Sequence, residues 1–111
     1  MKFEKVPKKL FTSPYRKEMW ENARSVVSKV EKAIPISRAY VMGSFTTTKK
    51  RPGDVDFIIL LQVPEKKRYA KWCVDLVIAP DNKYGQYVLR DEDRWVKQQY
   101  GLKNSTIVRI K

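Results

Sequence analysis

Three aspartates and a glycine-serine pair are the residues of this chain whose types and spacing could do chemistry. Gly43 and Ser44 follow an apolar segment, and nine residues later Asp54 and Asp56 begin a second one. Asp75 lies inside a third, Val-Asp-Leu-Val-Ile. Side chains two apart on a strand point to the same face, so Asp54 and Asp56 are expected to converge. Carboxylates gathered at one place need a cation or a proton to be stable.

Carboxylate oxygens suit hard divalent cations, which makes magnesium the expected ion and manganese a possible substitute. If the strand of Asp75 neighbours the strand of Asp54 and Asp56, the three side chains face one cleft. Two such ions can activate an attacking hydroxyl and stabilise a leaving pyrophosphate. The aspartates therefore predict a magnesium site that binds a nucleoside triphosphate.

The glycine-serine turn has a separate predicted role in binding phosphate. Glycine lets the backbone approach a ligand closely, and turn N–H groups can cradle phosphate oxygens. The hydroxyl of Ser44 can add a hydrogen bond. Lys49, Lys50 and Arg51 lie in the loop between this turn and the aspartates. They could attract the triphosphate or an acceptor molecule.

Composition excludes several other kinds of site. The chain has no histidine and one cysteine, Cys73. Ser-His-Asp and Cys-His catalysis, zinc sites and an internal disulfide are therefore excluded within one chain. An enzyme made from these residues works with carboxylates, hydroxyls, lysine and arginine.

The formal net charge of +12 favours polyanionic partners: nucleic acid, nucleotide phosphates or an acidic protein surface. A lysine-rich solvated surface explains the same charge without any partner. The chain lacks an apolar run of the roughly 18 residues that span a bilayer. It also has no signal-peptide pattern, so no membrane association and a cytoplasmic location are expected.

The elements that position these residues follow from apolar patterning. Residues 1–12 predict a basic, extended arm. Ser13 and Pro14 form a helix start signal, and helical spacing of apolar residues predicts a helix over 14–33.

Short apolar runs predict strands over 38–42, 55–61 and 72–78. The run 55–61 is nearly continuous in apolar residues, as in a strand covered on both faces. The short connection after it predicts 72–78 as its antiparallel neighbour.

The C-terminal part of the chain predicts three further elements. They are a short strand over 86–89, a helix capped by Asp91 and ended by Gly101, and an edge strand over 105–110.

Together these elements predict one domain over residues 1–111 of the α/β class, in its α+β form. It has a small mixed sheet with helices packed on one face. The catalytic core covers 13–80, and 81–111 adds a helix and a strand.

Gly43-Ser44, nine residues, Asp54-Val55-Asp56 and a later Asp75 resemble the signature of the DNA polymerase beta-type nucleotidyltransferase superfamily. The short chain resembles most its minimal nucleotidyltransferases, antitoxin-like proteins often paired with HEPN-domain toxins. The resemblance covers about residues 13–80. It implies the nucleotidyltransferase fold and an enzyme that moves a nucleoside monophosphate, typically from ATP, onto a hydroxyl.

The resemblance also implies the roles of the site residues. Asp54 and Asp56 bind two magnesium ions, and Asp75 binds one of them and helps to activate the acceptor hydroxyl. Gly43 and Ser44 contact the triphosphate. The acceptor is a partner protein, such as a HEPN-type toxin, or RNA, and another chain can supply the acceptor site.

Two alternatives stay open. One is a non-catalytic binding module of the same fold, which acts by forming a complex with a partner protein or RNA. The other is an α/β domain in which the aspartates are only structural. Loss of label transfer when the aspartates are substituted separates the enzyme from both.

Overall fold

The computed structural model describes residues 6–67 and 71–111, and the chain divides into two compact units, residues 1–70 and 71–111. The predicted α/β class is confirmed, since helices and an antiparallel sheet are both present. The sheet found among the described residues has two antiparallel strands, so the expected mixed sheet is not seen there. In the described part of the chain, no helix is long and apolar enough to cross a membrane.

The first long helix, α1, spans Pro14–Ala33, as predicted. Ser13 caps it, because its hydroxyl accepts a hydrogen bond from the backbone N–H of Arg16 at 3.2 Å. Proline at the first helical position loses no hydrogen bond, since that N–H has no partner within the helix. Pro35 lies two residues after the last helical residue, just beyond the C-cap Ile34, and cannot continue the helix.

Two strands, β1 (Ile36–Met42) and β2 (Asp56–Leu61), form the antiparallel sheet. Both strands were predicted to within two residues at each end. Opposed residues of an antiparallel pair share a face, so the register Tyr40 with Ile58 and Met42 with Asp56 assigns these four to one face.

The core of the first unit lies between α1 and the other face of the sheet. Trp20 of α1 is 5% exposed, and its ring centroid lies 5.8–6.0 Å from those of three phenylalanines, Phe11, Phe45 and Phe57. Phe45 is fully buried, although its neighbours in the stretch 46–51 are all threonine, lysine or arginine. The Phe45 ring packs beneath the loop because removing an aromatic side chain from water stabilises the fold more than leaving it exposed.

The sheet face away from α1 is exposed, so the prediction that β2 is covered on both faces is wrong for the described structure. Its four large side chains are 42–48% exposed: Tyr40, Met42, Ile58 and Leu60. The continuous apolar run therefore supplies a buried face and an accessible one.

The second unit contains the helix α2, Lys83–Tyr100. Asn82 caps it through a hydrogen bond from the N–H of Gly85 at 3.2 Å, so the start predicted at Asp91 and the strand predicted over 86–89 are both wrong. Gly101 ends it in the left-handed conformation, φ 63°, as predicted.

The runs 72–78 and 105–110 are not strands in the described structure. Val74 and Leu76 are 72% and 68% exposed, for example. An apolar run supplies β propensity, but a strand exists only where another strand accepts its backbone hydrogen bonds.

The last residues of the chain are tied to α2 by hydrogen bonds. The hydroxyl of Ser105 donates to the Asp93 carboxylate at 2.7 Å, and the Lys97 ammonium lies 3.1 Å from the same carboxylate. The hydrogen bond from Ser105, with that from Lys97, lowers the pKa of Asp93.

Candidate functional site

The turn after β1 and the start of β2 meet at one point of the sheet. Met42 pairs with Asp56, so Gly43 leaves β1 opposite the residue that opens β2. Gly43 has φ +79°, a left-handed conformation that glycine adopts without strain. A Cβ at Gly43 would clash with Oδ2 of Asp56 and would lie 3.3 Å from its carboxyl carbon. The carboxylate thus lies directly against the glycine backbone, in a space that only glycine leaves open.

The turn itself, a short 3-10 segment over Gly43–Thr46, is bonded internally. The Thr46 hydroxyl donates to the Gly43 carbonyl at 2.7 Å, and the Thr47 hydroxyl donates to the Ser44 carbonyl at 2.6 Å. The oxygen of Thr47 also accepts the N–H of Lys49 at 3.2 Å. Ser44 is half-buried. These bonds hold the backbone of the turn in one shape beside Asp56.

The buried side chain of Arg16 fixes the loop that follows the glycine-serine turn. Arg16 is 2% exposed, and its guanidinium donates to the carbonyls of Leu10 and Lys49, each at 2.6 Å, and to that of Phe45. Its central carbon also lies 4.6 Å from the centroid of the Phe45 ring. The planar fork of an arginine suits such divergent acceptors, and charge-assisted bonds are about twice as strong as neutral ones.

Sequence reasoning missed Arg16, which looked like one of the polar residues between apolar ones. The signal was its spacing: Arg16, Trp20 and Val27 are the three buried residues of α1, and they recur at four and seven. A cation at a core position of a helix indicates a buried network rather than a solvated charge.

The basic loop after the turn is exposed and held at both ends. Lys49, Lys50 and Arg51 are exposed, and the guanidinium of Arg51 lies 4.6 Å from the ring centroid of Tyr15. The Tyr15 hydroxyl donates to the carbonyl of the buried Pro52 at 2.7 Å. Arg51 is therefore presented on a fixed aromatic ring, while Lys49 is fixed through its backbone.

Within the first unit, the structure brings part of the predicted site together. Gly43, Ser44 and Asp56 meet at the sheet end, and Asp54 lies two residues before β2. Exposure alternates from 54 to 61, with Asp54 and Asp56 both exposed, as the period-two prediction requires. Asp75 is exposed within the irregular run 71–80 of the second unit.

Asp56 against the glycine turn, with Asp54 two residues before it in the chain, fits a magnesium ion that arrives with a triphosphate. Magnesium in such sites takes one or two carboxylates, and phosphate oxygens and water fill the remaining positions. Because Gly43 has no Cβ, the Asp56 carboxylate lies next to the backbone of the turn. Within residues 6–67 and 71–111, no cluster of three or more acidic or thiol side chains is close enough to hold a metal by itself.

Comparison with known proteins gives one match. A protein-family model described as a family of unknown function (DUF6932) matches residues 1–108. No curated protein and no solved structure matches the chain.

Proposed function

The chain belongs to the DUF6932 family, and from its own site we propose that it is a magnesium-dependent nucleotidyltransferase. The observation that supports this most is the Asp56 carboxylate lying against Gly43 of the glycine-serine turn. A phosphate-binding turn and a metal-binding carboxylate must lie side by side, because the same triphosphate contacts both.

In this proposal the donor is a nucleoside triphosphate, ATP being the expected one. An acceptor hydroxyl oxygen forms a bond to the α-phosphorus, the bond from that phosphorus to the bridging oxygen breaks, and pyrophosphate leaves. The hydroxyl proton passes to a carboxylate or to water. Magnesium, when bound, supplies positive charge that neutralises the phosphates and lowers the pKa of the attacking hydroxyl.

The chain's own groups have distinct tasks. Asp54 and Asp56 hold the cation, and the backbone of Gly43 and Ser44 holds phosphate oxygens. Asp75 is the third carboxylate that the resemblance implies, and we retain it as part of the proposal. The cations of the loop, Lys49, Lys50 and Arg51, raise the local concentration of the anionic substrate.

The acceptor is a hydroxyl of a partner protein, such as a HEPN-type toxin, or of RNA. A nucleoside triphosphate donor and a lone thiol both suit the cytoplasm, and we place the protein there as part of the proposal.

A binding module without turnover is the second candidate. The exposed sheet face of Tyr40, Met42, Ile58 and Leu60 favours it, since exposed apolar patches often mark interaction sites. Such a module forms a complex through this face and needs neither aspartate.

Radiolabelled ATP, incubated with magnesium and either the protein encoded next to this one or total RNA, tests the proposal. Wild-type protein is expected to label an acceptor, and Asp54→Asn with Asp56→Asn to lower labelling by a factor of at least about 100, in line with removal of transition-state charge stabilisation. Asp91→Asn removes an exposed carboxylate of α2 and serves as the matched control.

Label transfer that survives the double substitution overturns the enzymatic proposal. Partner binding without label transfer in the wild type supports the binding module instead. Asp75→Asn, assayed separately, tests the third carboxylate: unchanged labelling removes it from the site.

A further inference from the structure

We propose that the exposed cations around Arg16 form a binding surface for RNA. The surface consists of five residues on two chain segments, and we call it the basic platform: Lys8, Lys9, Lys49, Lys50 and Arg51. This inference deepens the proposed function and rests on it in one respect: Lys49, Lys50 and Arg51, which attract the anionic substrate there, bind RNA here together with Lys8 and Lys9. This binding requires no turnover.

One guanidinium joins the two segments. Arg16 donates to the carbonyl of Leu10, next to Lys8 and Lys9, and to the carbonyl of Lys49. Because both bonds come from the same rigid group, the two basic segments are held side by side. All five cations of the platform are exposed.

The platform is free of acidic residues in its own segments. Neither 6–13 nor 44–53 contains aspartate or glutamate. Asp54 is the first carboxylate after the second segment, so the five cations outnumber the two carboxylates of the candidate site, Asp54 and Asp56. Such clustered cations create a positive potential that a diffuse, mixed surface does not. Holding them together costs free energy through mutual repulsion, and a polyanion relieves this repulsion.

Thr46, beside the platform, offers a hydrogen-bond acceptor that suits ribose and not deoxyribose. The hydroxyl of Thr46 gives its one hydrogen to the Gly43 carbonyl, so its oxygen can only accept a further hydrogen bond. Phosphate oxygens also only accept, so with its bond to Gly43 intact Thr46 does not bind them. The 2′-hydroxyl of RNA is a donor that lies next to every phosphate, and DNA lacks it.

Fluorescence anisotropy with a labelled, unstructured RNA of twelve nucleotides tests the platform, without nucleotide or magnesium. If about four phosphates are contacted, the logarithm of affinity falls with that of salt with a slope of roughly −3. Lys49→Glu with Lys50→Glu is expected to weaken binding at least about tenfold and to flatten this slope.

The matched control is Lys29→Glu with Lys32→Glu, which makes the same charge change at exposed positions far along α1. Equal losses in the two double variants overturn the proposal, because they mean that total charge alone sets affinity. Thr46→Val is expected to remove the preference for RNA over DNA of the same sequence, while DNA binding stays unchanged. Equal wild-type affinity for RNA and DNA overturns the role of Thr46.

Vesicles with anionic lipid provide a further comparison. Binding to vesicles but not to RNA overturns the proposal in favour of a membrane surface. Asp54→Asn with Asp56→Asn removes two negative charges close to the platform and is expected to bind RNA at least as tightly as the wild type, so loss of transfer and loss of RNA binding are separate results.

Discussion

Replacing Arg16 by methionine removes the guanidinium that bonds three backbone carbonyls and keeps much of the aliphatic packing. A buried acceptor left without a donor costs about 1–3 kcal/mol, while loss of the buried cation recovers part of its desolvation cost. Three unpaired carbonyls therefore predict a loss of about 3 kcal/mol in the free energy of unfolding. This is a large share of the roughly 5–15 kcal/mol that holds a typical domain folded.

Urea denaturation followed by tryptophan fluorescence measures this loss. Trp20 is 5% exposed, whereas Trp72 and Trp95 are each 57% exposed, so burial of Trp20 dominates the change in signal. With a denaturant slope of roughly 1–2 kcal/mol per molar, the midpoint is expected to fall by about 1.5–3 M. Faster hydrogen exchange at the amides of residues 44–51 is expected at the same time, because the loop loses its support.

Two variants separate geometry from charge. Arg16→Lys keeps the charge but not the planar fork, and it is expected to lose about 2 kcal/mol, since one ammonium cannot serve three divergent carbonyls. Lys17→Met removes an exposed charge from the same helical turn and is expected to change stability by less than about 0.5 kcal/mol. If the free energy of unfolding of Arg16→Met lies within about 0.5 kcal/mol of the wild-type value, the three Arg16 hydrogen bonds do not stabilise the fold as argued.

Two further perturbations follow from the described contacts. Gly43→Ala places a Cβ against the Asp56 carboxylate and holds an alanine in a left-handed backbone conformation. The free energy of unfolding is therefore expected to fall by more than about 1 kcal/mol. Calorimetry is expected to show weaker magnesium-ATP binding. The pKa of Asp93 is lowered, chiefly by the hydrogen bond from the Ser105 hydroxyl and then by Lys97. The ionised Asp93 therefore stabilises the folded state at pH values above the ordinary carboxyl pKa. This stabilisation is lost as the pH falls through the lowered pKa. Ser105→Ala is expected to raise that pKa, as followed by carbon NMR of the Asp93 carboxyl.

The Gly43 variant has a matched control, and the Ser105 variant has an outcome that would contradict its premise. Gly53→Ala places a Cβ where nothing lies within 4 Å and is expected to leave magnesium-ATP binding unchanged. If Gly43→Ala binds as tightly as Gly53→Ala, the close approach to Asp56 has no role in binding. An unchanged titration of Asp93 in Ser105→Ala contradicts the assigned cause of its pKa.

Local signals predicted the elements of the first unit well. The cap at Ser13 with proline after it defined the start of α1, and Pro35 defined its end, because both act within one helical turn. The short apolar runs before Gly43 and after Asp56 likewise predicted the positions of β1 and β2. The adjacency of that glycine and that aspartate is a matter of pairing register, which the short loop between the strands permits but does not dictate.

Errors arose where a partner had to be known. Asn82 rather than Asp91 starts α2, and since both residue types can cap a helix, the cap signal by itself does not choose between them. A single aromatic residue among threonines has no periodicity, so the pattern around Phe45 does not predict its burial. For Arg16, helix periodicity indicates the face of α1 on which the side chain lies. It does not show which backbone carbonyls come within hydrogen-bonding distance of that face.

The sequence by itself determined the residue types available for chemistry, the absence of histidine, the excess of positive charge, and the local starts and ends of α1, β1 and β2. Each of these depends on neighbours within a few residues or on composition alone. Only the tertiary structure decided that the Asp56 carboxylate lies against Gly43, and that one guanidinium holds the arm at Leu10, the turn at Phe45 and the loop at Lys49 together. These contacts join residues that are distant in sequence, and their free energy is realised only when the core around Trp20 has brought the segments together.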